Sequence, residues 1–276
     1  MHSRNAHRRL PRRRVAVATA PLMLMATPAF SQAAPDADAL AKQLSNPVAA
    51  LISVPMQLNW DTGLGSGGDG ERWTLNVQPV IPMSISEDWN LISRTIVPLI
   101  DQQDVIPGDS SQSGLGDITQ SAFFSPKQPT SGGLIWGVGP VLLLPTGADQ
   151  LTADQWGAGP TAVVLKQAGP WTVGFLGNHI WGLSNDGAGA DVNATFAQPF
   201  VSKSLGKGVT GSLNFESTYD WNGGGWTLPL NLGLSKVTRF GSQLVSLQAG
   251  ARWYADAPAG GPDWGLRFTF TLLFPR

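Results

Sequence analysis

The chain of 276 residues contains no cysteine. That excludes a disulfide framework, a thiol nucleophile and a Cys-ligated metal. Charge is scarce too. Asp, Glu, Lys and Arg make up 13% of the residues, against about 25% in ordinary soluble domains. Histidine is scarcer still: His2 and His7 lie in the first ten residues, which leaves His179 alone in the rest. Beyond residue 33 no run of 18 consecutive apolar residues occurs, so helical membrane spans are excluded. A surface with so little charge and no helical span suggests that lipid covers strands.

Residues 1–33 have the layout of a secretory signal. Arg4, Arg8, Arg9, Arg12, Arg13 and Arg14 form a basic start, Val15 to Phe30 an apolar stretch, and Ser31-Gln32-Ala33 a small-x-small cleavage site. The competing reading is a retained anchor, but Pro21 and Pro28 break the stretch and it is short for a span. Removing the signal takes six of the 18 basic residues and none of the 19 acidic ones, leaving 12 against 19 and a net charge of −7. That argues against nucleic acid as a partner.

The punctuation of the remainder is regular. About twelve alternating segments follow residue 48, separated by gaps that are alternately long and short. Asp61, Asp69, Glu71, Asp104, Asp149, Asp154, Asp220 and Asp256 cluster at the long gaps. Lys127, Lys166, Lys203, Lys207, Lys236 and Arg239 lie near the short ones. Most tryptophans sit at segment ends. Segments of about ten alternating residues, flanked by aromatic girdles, are the pattern of a transmembrane barrel. We therefore expect an all-β fold: an antiparallel up-and-down transmembrane β-barrel of about 12 strands with a short N-terminal helix. The division is 1–33 signal (removed), 34–47 a periplasmic or plug helix, and 48–276 the barrel. An even strand number puts both termini and the short turns on the periplasmic side.

Alternation assigns the faces. In the last segment Trp264, Leu266, Phe268, Phe270, Leu272 and Phe274 share one face, while Arg267, Thr269 and Thr271 share the other. The apolar face points to lipid and the polar face to the lumen. Prolines within segments, among them Pro55, Pro79, Pro82, Pro98, Pro140, Pro160, Pro199 and Pro229, each remove a ladder donor. Kinks, bulges or gaps in the wall are expected there.

Little of this chemistry is catalytic. A barrel hydrolase using His179 as base is conceivable, but the local motifs around a nucleophilic serine are missing. No His, Asp or Glu cluster has zinc-ligand spacing. Gly67-Gly68-Asp69-Gly70 lacks the strand-to-helix context of a phosphate cradle. No catalytic residue, metal site or cofactor is assigned, and the protein is not expected to be an enzyme. The functional candidates are lumen-facing: Arg72, Arg94, Glu216, Arg252, Arg267, Asn76, Gln78 and Asn214. One reading makes them internal braces. The other makes them the lining of a narrow path, with Arg94, Arg252 and Arg267 as a positive constriction and Glu216 as its neutralising partner. Ile92, Ile96, Ile100 and Leu244 also face inward by parity, a lining drier than that of a general porin.

Several motifs resemble one bacterial family. They are Leu40 to Pro47, Ile52-Ser53-Val54-Pro55, Gln57-Leu58-Asn59, Asn76-Val77-Gln78-Pro79-Val80-Ile81-Pro82 and Trp89 to Pro98. Gly114-Leu115-Gly116-Asp117-Ile118, Gly137-Val138-Gly139-Pro140 and the ending Leu273-Phe274-Pro275-Arg276 fit as well. The chain is similar to an outer-membrane transporter group linked to meta-pathway phenol degradation, itself distantly similar to long-chain fatty-acid transporter barrels. The resemblance implies an outer-membrane channel of a Gram-negative bacterium that passes small hydrophobic or aromatic compounds. The implied partners are outer-membrane lipid and lipopolysaccharide, the barrel-assembly machinery and a small hydrophobic or aromatic substrate. The alternative function is a structural barrel whose acidic loops bind divalent cations or lipopolysaccharide.

Overall fold

The computed structural model describes residues 36–183 and 191–275. The expected signal and the loop at 184–190 lie outside them. The first element is a helix, α1 (Ala37–Leu44). Sixteen strand segments follow: β1 (Ile52–Leu64), β2 (Gly70–Val77), β3 (Val80–Ser84), β4 (Trp89–Ile106), β5 (Asp109–Leu115), β6 (Ile118–Pro126), β7 (Leu134–Leu144) and β8 (Gly157–Ala168). Then come β9 (Trp171–Gly182), β10 (Asn193–Gly206), β11 (Val209–Phe215), β12 (Ser217–Asp220), β13 (Gly225–Thr227), β14 (Pro229–Phe240), β15 (Gln243–Tyr254) and β16 (Trp264–Phe274).

Four staves of the wall are interrupted strands: β2 with β3, β5 with β6, β11 with β12, and β13 with β14. Counted as staves there are twelve, all antiparallel, and β1 pairs with β16 from Ile52↔Phe274 to Thr62↔Trp264 to close the barrel. Closure matters because an open edge in lipid would leave unpaired N–H and C=O groups. Among the described residues no helix is long and apolar enough to cross a membrane, so the strands would carry the crossing.

The outer face is apolar. Leu99, Phe124, Val138, Val164, Val173, Phe175, Leu232, Leu234 and Phe268 are exposed on it. Tryptophans gather near the two ends. Trp60 stacks on Trp73 at 5.8 Å and meets Trp264 edge-on at 5.5 Å, towards the longer loops. Trp89 and Trp136 meet at 5.7 Å beside the short turns. Amphipathic rings favour such interfacial belts.

The prolines interrupt the ladder where their missing donors fall. Pairing of β6 with β7 skips from Ser121↔Val141 to Phe124↔Val138, beside Pro140. Pairing of β8 with β9 skips from Ala158↔Trp181 to Thr161↔Asn178, beside Pro160. The two prolines face each other across β7 and β8. β2 stops at Val77 and β3 starts after Pro79, while β14 starts on Pro229. Pro55, Pro82 and Pro98 instead sit inside unbroken strands. Glycines take up the closest approaches: a Cβ on Gly139 would lie 1.8 Å from the Ala122 carbonyl oxygen, and one on Gly159 1.7 Å from that of His179.

Two sequence boundaries move. Residues 102–114, which the alternation leaves as one of the long gaps, form a hairpin in which β4 and β5 continue to a turn at Pro107-Gly108 with Gly108 at φ 87°. This hairpin tip has no lipid to face, so the alternation that signals a strand fades there. The first strand begins at Ile52 rather than residue 48, because Val48 and Leu51 leave the wall for the interior.

Candidate functional site in the barrel lumen

The segment before β1 enters the barrel at its short-turn end. Asp36 caps α1, accepting from the Asp38 amide at 3.1 Å, and Pro47 follows soon after the helix ends. The helix is docked at two turns. The Asp38 carboxylate accepts from the Gly208 amide at 2.5 Å, and Gln167 Nε2 donates to the Lys42 carbonyl at 2.9 Å. Leu40, Ala41 and Leu51 are buried against Val237 and Leu273. Val48 reaches further in and packs with Ile92, Phe123, Val163, Leu165 and Leu176. Residues 37–51 thus fill much of that half of the lumen with apolar contacts. At about 25 cal/mol per Å² of buried apolar area, these contacts outweigh the two polar anchors.

The polar candidates lie elsewhere along the lumen, and they form pairs rather than one ring. Arg267 on β16 is the most enclosed, at 4% exposure. It donates through Nη1 and Nη2 to the two carboxylate oxygens of Glu216 at 2.7 Å each, and through Nε to Asn59 at 2.7 Å. Glu216 sits in the break between β11 and β12, where the ladder with β10 stops at Phe200↔Asn214 and resumes at Ala197↔Ser217. The register is the same on both sides of the break, so Glu216 keeps the inward alternation of Ser212 and Asn214, opposite Gln198, and its side chain reaches the fork of Arg267. Gln198 donates to the same carboxylate at 3.5 Å.

Arg252 on β15 has a different partner. Its Nη1 lies 3.3 Å from Asp61 and its Nη2 donates to the Tyr254 hydroxyl at 2.8 Å. Arg72 donates through Nε to Gln102 at 2.7 Å, and Gln102 donates on to Gln112 at 2.7 Å. Asp61, Arg72, Gln102 and Gln112 are in register across β1, β2, β4 and β5, which makes a polar rung. Arg94 on β4 stands apart and donates through Nη2 to Gln78 at 2.8 Å. Asn214 accepts from Asn231 at 2.9 Å. Asn76 lies opposite Gln57 on the inward face. Sequence parity leaves Asp61 among the acids of the long gaps and does not single out Tyr254. The inward alternation Gln57, Asn59, Asp61 was the available signal.

Three cavities adjoin along the plug. One of about 260 Å³ lies at the short-turn mouth between α1 and Gly169, Pro170 and Thr210. It shares Ala41, Ser45, Ser202 and Thr210 with a second of about 280 Å³, lined also by Gln57, Gln78 and Asn214. The second shares Leu44, Pro47, Pro55, Gln78 and Gln198 with a third of about 200 Å³ that reaches Arg94.

His179 is not in the lumen. It lies opposite Thr195 on the outward face, with Nδ1 2.7 Å from the Thr195 hydroxyl and its ring 4.1 Å from that of Trp181. The same hydroxyl accepts from Trp221 Nε1 at 2.8 Å.

The family model described as "Putative MetA-pathway of phenol degradation" matches residues 71–217, more than half of the chain. The chain belongs to this family. Its barrel is similar to the COG4313 outer membrane channel from Pseudomonas putida F1, with a TM-score of 0.64 and 16% identity over 82% of this chain and 96% of that one. Looser likenesses are to Escherichia coli outer membrane phospholipase A (TM-score 0.49, 12% identity, 88% and 99% covered) and the β domain of the Bordetella autotransporter BrkA (0.47, 13%, 82% and 100%). No curated protein matches the sequence. A closed barrel with an apolar outer wall, in a member of the phenol-degradation family, is a protein of the Gram-negative outer membrane.

Proposed function

We propose that the protein is a passive channel, and not an enzyme, that carries small hydrophobic or aromatic compounds across the outer membrane. The observation that carries this reading is the chain of adjoining cavities running beside the plug. Their walls mix amides such as Gln57, Gln78 and Asn214 with apolar Leu44, Pro47 and Phe200. Small apolar molecules with one polar group fit such a lining better than hydrated ions or sugars, which need continuous polar walls to replace their water. The family's link to phenol degradation supports the same substrate class. Against a hydrolase, His179 faces outward, its ring 4.1 Å from that of Trp181 and its hydroxyl neighbour a threonine already shared with Trp221.

The test is uptake of radiolabelled phenol, and of arabinose as a polar solute of similar size, by intact porin-depleted cells with and without the protein. Intact cells are needed because a lipopolysaccharide leaflet resists phenol and a plain phospholipid bilayer does not. Faster phenol uptake with little change for arabinose is expected. Equal acceleration of both indicates a general porin, and no acceleration of either sinks the channel reading. The purified protein should also release no fatty acid from phospholipid vesicles.

A further inference from the structure

The four luminal arginines are unequally neutralised: two meet carboxylates, while Arg72 and Arg94 meet amide oxygens, Arg72 that of Gln102. Arg267 is held by Glu216 and Arg252 by Asp61. Arg94 has only an amide oxygen, that of Gln78, within hydrogen-bond distance, and among the described residues no carboxylate lies within ion-pair range of it. Yet it is partly buried, inside a barrel where bulk water screens poorly. A guanidinium has five donors in a planar fork, and Gln78 uses one of them. The same side chain lines the 200 Å³ cavity.

That cavity is built of two kinds of surface. Leu51, Val80 and Leu176 form an apolar side, while Gln78, Gln198 and Arg94 form a polar one. The apolar side is reinforced from behind, because Leu176 and Val80 belong to or pack against the cluster around Val48. The polar side is set by strand geometry: Val80 pairs with Arg94 across β3 and β4, and Gln78, whose amide still bonds the Pro55 carbonyl of β1, alternates inward with Asn76 and Val80 and accepts from the guanidinium. Gln198 also reaches Glu216, whose charge is already met by Arg267. The carboxylate next to the cavity is therefore taken up by Arg267, and Arg94 keeps no carboxylate within ion-pair distance. At 200 Å³ the space is smaller than the roughly 300–1,000 Å³ of drug-sized sites. It suits one ring better than a long acyl chain.

We infer that this cavity is a binding site for aromatic monocarboxylates, with the carboxylate on Arg94 and the ring against Leu51, Val80 and Leu176. The inference rests on the channel reading and adds single-ring acids to its substrate class. A carboxylate takes two N–H bonds from an arginine fork side by side. A neutral ring of the same shape leaves that fork without an anion.

The probe is benzoate, titrated calorimetrically into the purified, folded protein in detergent, with benzamide as the neutral counterpart. Benzoate should bind and benzamide should bind at least about tenfold more weakly. Arg94→Gln should weaken benzoate about tenfold or more without changing benzamide, and Arg94→Lys should recover part of the loss. Should Arg94→Gln fail to fold, the comparison of benzoate with benzamide on the unmodified protein decides. Equal binding of the two probes, or benzoate binding that survives Arg94→Gln in a folded barrel, overturns the site. Phenol uptake without benzoate binding also removes the site and leaves the channel. Benzoate binding without phenol uptake keeps the site and removes the channel.

Discussion

Arg267 holds Glu216 by a two-pronged charge-assisted pair, 2.7 Å on each prong, between staves three places apart round the wall. Both partners face the lumen, and Asn59 fixes the guanidinium from its third side. The pair braces the barrel from within. Arg267→Ala leaves a carboxylate without its cation in a poorly solvated place, at a cost of about 3–5 kcal/mol. The double replacement Arg267→Met with Glu216→Leu should be much milder, since it removes both charges. Urea unfolding of the refolded variants in micelles measures this. If the single and double variants unfold at the same urea concentration, the pair is not a brace.

The closed wall predicts how the protein behaves on a gel. All twelve staves are paired on both sides, so detergent finds no edge at which to begin unfolding. Unboiled and boiled samples should migrate differently in SDS. Identical migration with a helical circular-dichroism spectrum contradicts the barrel.

The faces of β16 can be told apart by one charge. Phe270 pairs with Met56 and Leu247 on the outward side, and Thr269 with Gln57 and Gln248 on the inward side. Arginine in place of Phe270 costs about 2–4 kcal/mol near mid-membrane. Phe270→Arg should block assembly into outer membranes far more than Thr269→Arg. Equal yields of the two folded variants mean the face assignment is wrong.

The close approach of strands beside Pro140 and Pro160 depends on two glycines. A methyl at Gly139 or Gly159 collides with a neighbouring carbonyl, at 1.8 Å and 1.7 Å. Gly139→Ala and Gly159→Ala should each destabilise by about 1–3 kcal/mol or more. At Gly211 the nearest atom to an added Cβ is 3.9 Å away, so Gly211→Ala should stay within about 0.5 kcal/mol. Unfolding temperatures of the three variants check this. A Gly139→Ala barrel as stable as the Gly211→Ala one shows that the strands can separate freely there.

The plug should loosen in a graded way. Asp38→Ala removes the bond to the Gly208 amide, worth about 1 kcal/mol, and leaves the apolar contacts of Leu40 and Leu51. Trypsin should then cut after Lys42 more readily, and single-channel conductance should rise modestly. If neither changes, the apolar contacts alone hold α1.

Much of the fold was legible because lipid imposes a rule on every wall residue. Phe268 and Phe270 must face out and Arg267 and Thr269 in, and a strand of period two writes that requirement directly into the sequence. The disturbed ladder showed in Pro140 and Pro160, since a missing N–H is a local fact. The hairpin beyond Gln102 was illegible for the opposite reason: its tip has no lipid to face, so no alternation is enforced.

The stave count, the faces and the inward position of Arg72, Arg94, Arg252 and Arg267 could all be read along the chain. Each follows from local chemistry repeated along the chain. The folded arrangement sets which group each arginine meets: Glu216 for Arg267, Asp61 for Arg252, and an amide alone for Arg72 and Arg94. Depth in a barrel depends on strand tilt and on register summed over many staves. No stretch of sequence carries that sum. The position of Val48, folded back from the start of the wall into the lumen, was likewise settled by apolar surfaces contributed by four strands far away in the chain.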